Sequence, residues 1–397
     1  MRQVRALELM QSGRNIFLTG PPGSGKTYVL NKYINYAHKN GLRVATTAST
    51  GIAATHVNGQ TIHSWSGFAN KYISEDQKLA IKSADILIID EVSMLSAEDF
   101  EKINNSIKKF SHKEEVFGGK QIILVGDFFQ LPPVVKRGRP KFIFESKSFK
   151  QLNLSVCYLN EQHRQKESDQ LINILMAIRT RNVQLSTINT LNKKVVHYFP
   201  NDFIKLYSHN YDVNRLNMLK NDQIDSRWLR YSKSYVGEHR LIDNYKNEVN
   251  SPESITLKVG SRVMFCVNSP KSGYFNGTTG VVVDFKNFMP VVRTDDLKYI
   301  FVNWHESEFE NGKLKIKYMP IKHSWALSIH KSQGMSLDRA EIDLSNAFTP
   351  GMGYVALSRL RSFDGLVLKG FNKMSLEVSD EAFNFDTELK RLSNLNN

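Results

Sequence analysis

Near the amino terminus, Gly20-Pro21-Pro22-Gly23-Ser24-Gly25-Lys26-Thr27 has the composition and spacing to hold a polyphosphate. Glycines let the backbone wrap an anion and direct successive N–H groups at it. Lys26 supplies a cation for the β and γ phosphates, and Thr27 a hydroxyl oxygen suited to magnesium. ATP and magnesium are therefore the expected ligands, and a chance glycine-rich turn is the competing reading. Further along, the apolar run Ile86-Leu-Ile-Ile ends in Asp90-Glu91. Asp90 suits the metal shell, and Glu91 suits a general base that polarises water. Alone, such a pair would read as a solvated turn or helix cap; after a phosphate loop it reads as chemistry. In Gly126-Asp127-Phe128-Phe129-Gln130-Leu131-Pro132-Pro133, Gln130 can hydrogen-bond a γ-phosphate or the attacking water, while Phe128 and Phe129 read as core. Arg164, in Leu159-Asn-Glu-Gln-His-Arg164-Gln165, and Arg359, in Tyr354-Val-Ala-Leu-Ser-Arg359, could bring charge to a transferred phosphoryl from a partner domain, where a placed arginine is worth large factors in rate. Two surface arginines among many is the bland alternative, and a phosphate loop alone leaves kinases, GTPases and transporters open.

These residues need elements that bring them together. Short apolar strands are expected at Asn15–Thr19, Arg43–Thr47, Ile86–Ile89 and Gln121–Val125, each followed by a turn or by residues of chemical type. Between the first two, Val29, Leu30, Tyr33, Ile34 and Ala37 fall on one helical face. Strands alternating with helices predict a parallel α/β sheet, whose ligands gather at the carboxyl ends of the strands. The rhythm returns at Val156–Leu159, Phe203–Ser208, Ile321–Ile329, Arg339–Leu344 and Gly365–Gly370. From about Ser251 to Pro320 the texture changes to β-branched and aromatic bursts (VMFCV, GTTGVVV, PVVRT, KYIFVNW) broken by Gly, Asn and Pro. That pattern predicts a small antiparallel, barrel-like insertion.

At 397 residues the chain is long enough for two to three domains. Its formal net charge of +14 and pI of about 9.5 suit a polyanionic partner, with lysine used for solubility as the alternative. Cys157 and Cys266 are the only cysteines, too few for a disulfide framework or a zinc site, which fits a reducing compartment. No apolar run approaches a membrane span. The opening MRQVRALELMQSGRNIF could pass for a transit peptide, but it runs directly into the phosphate loop and is read as part of the fold.

Eight motifs then stand in order: GPPGSGKT, TASTGIAA, QTIHSW, IIDEVSM, GDFFQLPPV, EQHRQ, SIHKSQG and YVALSR. The set resembles a superfamily-one helicase of the RecD-like group, from about Gln3 to Phe371. The segment LSAEDFEKINNSIKKF followed by FGGKQIILVGD resembles the signature of the PIF (petite integration frequency) family. The resemblance implies two RecA-like parallel-sheet lobes with a small β-barrel insertion in the second: residues 1–150, with a strand-splitting wedge at about 68–83; residues 151–250 with 321–397; and the inserted domain at 251–320. It implies that Gln3 reads adenine, that Arg164 and Arg359 are arginine fingers, and that Gln333 and Gly334 face both nucleotide and DNA. Thr47, Ser49, Thr50 and Gly51, then Thr61, His63 and Ser64, would line the DNA path, joined by His330 and Lys331. It further implies ATP-driven 5′-to-3′ movement on single-stranded DNA and unwinding of tailed duplex, G-quadruplexes and RNA–DNA hybrids, in replication, repair, recombination and telomere maintenance. A monomeric motor in the cytoplasm is expected, with no membrane partner and with nuclear or mitochondrial settings left open. His163 departs from the phenylalanine that the family often carries before the arginine.

Physics suggests further contacts. Single strands are held by phosphate contacts and by stacking on rings, which makes His63 and Trp65 candidate stackers, with core packing as the alternative for each. Lys136, Arg137, Arg139 and Lys141 form a basic cluster that is either DNA-facing or simply solvated. Three other functions stay open: an ATPase that clamps DNA without separating strands, an RNA-directed helicase, and a DNA-binding protein with a relic phosphate loop.

Overall fold

The structure, a computed structural model, describes residues 1–395 apart from 58, 69–72, 136–137, 162–169, 197–202, 247–248, 250, 270–271, 275 and 310–311. The chain divides into two compact units, Met1–Asn201 with Ile329–Asn397, and Asp202–Ser328.

The first unit opens with α1 (Gln3–Gln11), β1 (Ile16–Thr19), α2 (Lys26–Lys39), β2 (Val44–Ala48), α3 (Gly51–His56), β3 (Gln60–Thr61), α4 (Ile62–Ser66), α5 (Glu75–Ser83) and β4 (Ile86–Asp90). It continues with α6 (Ala97–Ser111), β5 (Gln121–Val125), α7 (Lys147–Gln151), β6 (Ser155–Tyr158), α8 (Gln170–Arg179) and α9 (Leu185–Asn192). The six strands form one sheet in the order β3-β2-β4-β5-β1-β6, parallel throughout. A parallel sheet covered on both faces needs strands apolar on both sides, and Ile86 to Ile89 are all buried. The helices are built locally as expected. In α2, Val29, Leu30, Tyr33 and Ala37 are buried, and His38 and Lys39 sit at the negative end of the helix dipole. In α6, the Ser96 hydroxyl accepts the Asp99 N–H at 3.0 Å, with Glu98 and Asp99 in the first turn and Lys108 and Lys109 in the last.

Strand β6 was expected to open the second lobe. It instead pairs with β1 from Ile16↔Ser155 to Thr19↔Tyr158 and completes the first sheet. Asn15 explains the register: its carbonyl accepts the Ser155 N–H at 2.8 Å and its side-chain amide donates to the Leu152 carbonyl at 2.8 Å. Of the expected wedge, residues 69–72 lie outside the described part. The remainder is mostly α5, capped by Ser74 and tied to the Trp65 carbonyl through Gln77 Nε2 at 3.2 Å.

The second unit holds β7 (Ile204–Tyr207), α10 (Asn210–Asp222), β8 (Trp228–Ser232), β9 (Ser234–Gly237), α11 (Ile242–Tyr245), β10 (Ser254–Lys258), β11 (Arg262–Phe265), β12 (Thr279–Lys286), β13 (Met289–Thr294), β14 (Tyr299–Phe301), β15 (His305–Phe309), β16 (Leu314–Tyr318), β17 (Ile321–His323) and β18 (Ala326–Ser328). Strands β7 and β18 run parallel, and Asn217 of α10 grips the Ala326 N–H and carbonyl at 2.9 and 3.0 Å. The other strands form antiparallel sheets ordered β14-β13-β12-β11-β17, β15-β16-β9 and β10-β8. Ile255, Leu257, Val263, Phe265, Val282, Val292, Ile300 and Ile321 form one core shared by the first and last of these sheets. This texture starts at Trp228, earlier than the expected Ser251. Strand β8 is mostly exposed, so its composition is a weak signal until β10 pairs Leu229 with Leu257 and Tyr231 with Ile255.

The chain returns to the first unit through α12 (Ile329–Ser332), β19 (Ala340–Leu344), α13 (Met352–Ser358), β20 (Leu366–Phe371) and α14 (Asp380–Leu395). Strands β19 and β20 pair in parallel. Phe385 of α14 joins Phe128, Phe142, Phe144 and Phe149 in one aromatic cluster, with Phe128 and Phe385 centroids 5.7 Å apart. Phe128 and Phe129 are buried, as read from the sequence. Among the described residues, no helix is long and apolar enough to cross a membrane.

Candidate nucleotide site and nucleic-acid face

The phosphate loop joins the carboxyl end of β1 to α2. A Cβ on Gly20 would lie 2.7 Å from the Leu159 carbonyl and 2.9 Å from Ser24 Oγ, so the loop's approach to the end of β6 admits only glycine. Lys26 Nζ donates to the Gly20 carbonyl at 2.8 Å and to the Pro21 carbonyl at 3.1 Å, folding the ammonium over its own loop. Burial lowers the Lys26 pKa, opposed chiefly by the negative charge of Asp127 and Glu91. Pro21 and Ser24 are buried, Pro22, Gly23 and Gly25 are half-buried, and Thr27 stands exposed on the first turn of α2. Gln3 reaches the loop: its Nε2 donates to the Ser24 carbonyl at 3.1 Å, and its backbone N–H to Glu161 Oε2 at 3.0 Å.

Strand β4 delivers the paired carboxylates. Burial, and then the neighbouring Glu91, pushes Asp90 up to about 7, although the Glu91 N–H donates to its Oδ1 at 2.8 Å. Glu91 takes a left-handed backbone, φ 52°, of the kind that clusters at functional sites. Gln333, only 1% exposed, donates its Nε2 to Glu91 Oε2 at 3.2 Å and to Ser93 Oγ at 3.3 Å; Gly334 follows it, half-buried, in a turn. The buried Ser24 Oγ, Gln130 Oε1 and Gln333 Oε1 have no hydrogen-bond partner among the described residues. Buried polar atoms are rarely left so. Three orphaned oxygens with a half-buried lysine and a hard-oxygen carboxylate fit a nucleotide and a divalent cation.

Of the two candidate arginines, Arg164 lies outside the described residues. Arg359, 5% exposed, donates Nε to the Val355 carbonyl at 3.0 Å, Nη1 to the Met335 carbonyl at 3.3 Å and Nη2 to Ser358 Oγ at 2.8 Å. These bonds hold the guanidinium against α13 and the turn that follows Gln333.

The expected DNA-path residues divide. Ser49 donates its hydroxyl to the Glu91 carbonyl at 2.6 Å. Thr50 precedes Gly51, the first residue of α3, and its Oγ1 accepts the Ala53 N–H at 3.3 Å. Thr61 caps α4 by accepting the Ser64 N–H at 3.2 Å, and Ser64 is exposed. The His63 ring lies 5.2 Å from that of Phe68, and burial lowers its pKa. His330 stacks on Phe348 at 6.3 Å, and Lys331 beside it is half-buried. Two expectations need correcting. Thr47 is fully buried, with its hydroxyl donated to the Ile88 carbonyl at 2.6 Å, because β2 turns that side chain into the sheet's covered face. Trp65 is 5% exposed and packs as core under α4, so its ring is not open to a base. In the basic cluster, Lys136 and Arg137 lie outside the described residues, while Arg139 pairs with Glu145 at 2.7 Å and Glu381 at 2.9 Å, as on a solvated face.

A buried ionic network adjoins the site, and its members were not singled out from the sequence. Arg179 Nη1 donates to Asp127 Oδ2 and to the Tyr354 hydroxyl, both at 2.7 Å; Nη2 donates to the Tyr158 hydroxyl at 2.9 Å and to Asp386 Oδ1 at 3.1 Å. One signal was available: Arg179 ends the mainly apolar helix QLINILMAIR as its one charged residue, and a charge on the buried face of such a helix needs a partner.

A family model described as PIF1-like helicase matches residues 1–187. The ATP-dependent DNA helicase Pif1 of Psychrobacter sp. (strain PRwf-1) is 36% identical over 469 residues, covering 99% of this chain and 71% of that protein. The crystal structure of Pif1 helicase from Candida albicans superposes with a TM-score of 0.88 at 29% identity, covering 98% of each chain. Pif1 helicase from Bacteroides in complex with ADP-AlF3 and ssDNA gives a TM-score of 0.83 at 29% identity, covering 98% of this chain and 96% of that one.

Proposed function

The chain belongs to the PIF1-like helicase family, and from that premise we propose that it is an ATP-dependent DNA helicase that moves 5′-to-3′ on single-stranded DNA and unwinds tailed duplex. The observation that carries this reading is the Gln333 amide, 3.2 Å from Glu91 Oε2. A motor must let the segment that follows nucleic acid touch the group that activates water, and the contact of SIHKSQG with Glu91 supports that reading.

In this reading Lys26 and the loop N–H groups bind the β and γ phosphates, and Gln3 holds the base. Thr27 and Asp90 would hold magnesium, which supplies positive charge against the phosphates. Glu91 takes the proton of the attacking water, Gln333 orients that carboxylate, and Gln130 senses the γ-phosphate. Arg359, with Arg164 from its own segment, brings charge to the transferred phosphoryl. Thr50 binds DNA unequally in the open and closed states, so that grip alternates, and Gln333 links the SIHKSQG segment to Glu91. Ser49, Gly51, Thr61, His63, Ser64, His330 and Lys331 belong to the strand-binding path. Two motor lobes, the first of them running on through β6, a wedge near residues 68–83 and an inserted β domain that begins by Trp228 go with this reading. So do action on G-quadruplexes and RNA–DNA hybrids, a monomeric motor and a cytoplasmic location.

Matched duplexes carrying a 5′ or a 3′ single-stranded tail test the proposal. ATP-dependent displacement with the 5′ tail alone is expected. Displacement with the 3′ tail alone would reverse the polarity. DNA-stimulated ATPase without displacement would leave a translocase or clamp. Lys26→Ala should abolish turnover while retaining binding of a single strand, and normal turnover in that variant would remove the site assignment.

A further inference from the structure

The Arg179 network joins the parts of the nucleotide site to one another. Asp127 divides its carboxylate. Oδ1 accepts the Phe129 N–H at 3.2 Å, and the Asp127 carbonyl accepts the Gln130 N–H at 3.0 Å, so this residue shapes the turn that presents Gln130. Oδ2 accepts Arg179 Nη1 at 2.7 Å and the Tyr354 hydroxyl at 2.8 Å. The Tyr354 oxygen itself accepts from Arg179, so the three groups close a ring. The Phe129 ring lies 4.3 Å from the guanidinium carbon. At its far end the network is anchored on α14, where Asp386 accepts from Arg179, from the Tyr158 hydroxyl at 2.9 Å and from Lys390 at 2.8 Å.

One guanidinium, 2% exposed and carried at the end of α8, therefore touches both the Gln130 turn and α13, the helix that Arg359 caps. Stability alone is a poor reason for such a cluster, because apolar side chains of similar volume usually stabilise a core as well as a buried ion network does. A network pinned to both the sensing turn and the arginine helix has another use. We propose that Arg179, acting with Tyr354, is a positioning residue for ATP hydrolysis that locks the Gln130 turn to α13, so that Gln130 and Arg359 move as one body. The inference rests on the ATP-driven reading above.

Tyr354→Phe tests it in the full chain, because that variant keeps the Arg179–Asp127 ion pair, whereas Arg179→Ala would strand a buried carboxylate. Measured together are melting temperature, DNA-stimulated kcat and KM for ATP, affinity for a non-hydrolysable ATP analogue, and amide hydrogen exchange across Asp127–Leu131. Loss of a hydrogen bond to an ionised group, felt at turnover rather than binding, predicts a kcat about tenfold lower, with KM and analogue affinity within about twofold of the parent. Exchange at Phe129 and Gln130 should quicken. Arg179→Lys, which keeps the charge but not the fork, should move the same way. Parental kcat together with parental exchange would overturn the proposal. So would a loss confined to KM and analogue affinity, or one accounted for by the fraction unfolded. An inactive parent would count against the motor reading instead, and the exchange comparison would still decide the role of Arg179 and Tyr354.

Discussion

Glu91 shows how much of the chemistry rests on single side chains. It leaves β4 in a left-handed backbone, with Asp90 accepting its N–H and Gln333 donating to its carboxylate. The proposed function has this carboxylate held for proton transfer rather than for charge alone. Glu91→Gln should therefore lower ATP turnover by at least about 100-fold, the usual worth of a general base, while nucleotide affinity stays near that of the parent. Steady-state ATPase rates and analogue titration check this, and a rate within a few-fold of the parent would move the base elsewhere. Thr47 and Trp65 carry the opposite lesson. Each belongs to a motif of chemical type, yet each is spent on packing.

Among the elements, the FGGKQ segment acts through shape. Phe117 and Gly118 are left-handed, at φ 51° and 65°, and the Phe117 ring is buried 4.9 Å from Phe100 of α6. A Cβ at Gly118 would sit 2.7 Å from Ser111 Oγ, whereas one at Gly119, φ 68°, meets nothing nearer than 3.8 Å. Gly119→Ala should cost about 1 kcal/mol for the torsion alone, and Gly118→Ala clearly more, about 2–3 kcal/mol, as the clash adds to it. Denaturant midpoints of the two variants decide whether contact or torsion dominates. In the second unit, burial pushes His323 of β17 down to about 4, even though its Nε2–H donates to the Thr256 carbonyl at 3.1 Å. The unfolded chain then takes up a proton near the ordinary histidine value of 6.5, and the folded one only near 4. The neutral ring's contribution is present above about pH 6.5 and is lost as pH falls through about 4, by at most roughly 3 kcal/mol. Urea midpoints compared at about pH 7 and pH 4.5 should fall further for the parent than for His323→Gln. Equal losses would mean that the ring titrates normally in the fold.

For the whole molecule, the net charge of +14 is the broadest term. If it meets a phosphate backbone, the logarithm of single-strand affinity should fall linearly with the logarithm of salt, by about 0.7 for each phosphate engaged. Equilibrium titrations across a salt series measure that slope. A slope near zero would assign the lysines to solubility.

The sequence by itself determined the nucleotide loop, the paired carboxylates, Gln130 and the strands that carry them. Expected strands such as Asn15–Thr19 and Gln121–Val125 lie within a residue or two of those found at Ile16–Thr19 and Gln121–Val125. That legibility has a local cause: wrapping a phosphate constrains consecutive residues, and a strand covered on both faces must be apolar along its length. Tertiary structure alone decided which sheet β6 would join, since a strand does not encode its neighbour. It also decided that Thr47 turns inward, because in a strand between two covered faces alternation marks no outside. Only the fold could assemble Asp127, Tyr158, Arg179, Tyr354 and Asp386 around one guanidinium. They come from distant stretches of chain, and a buried charge finds its partners only once packing has excluded water.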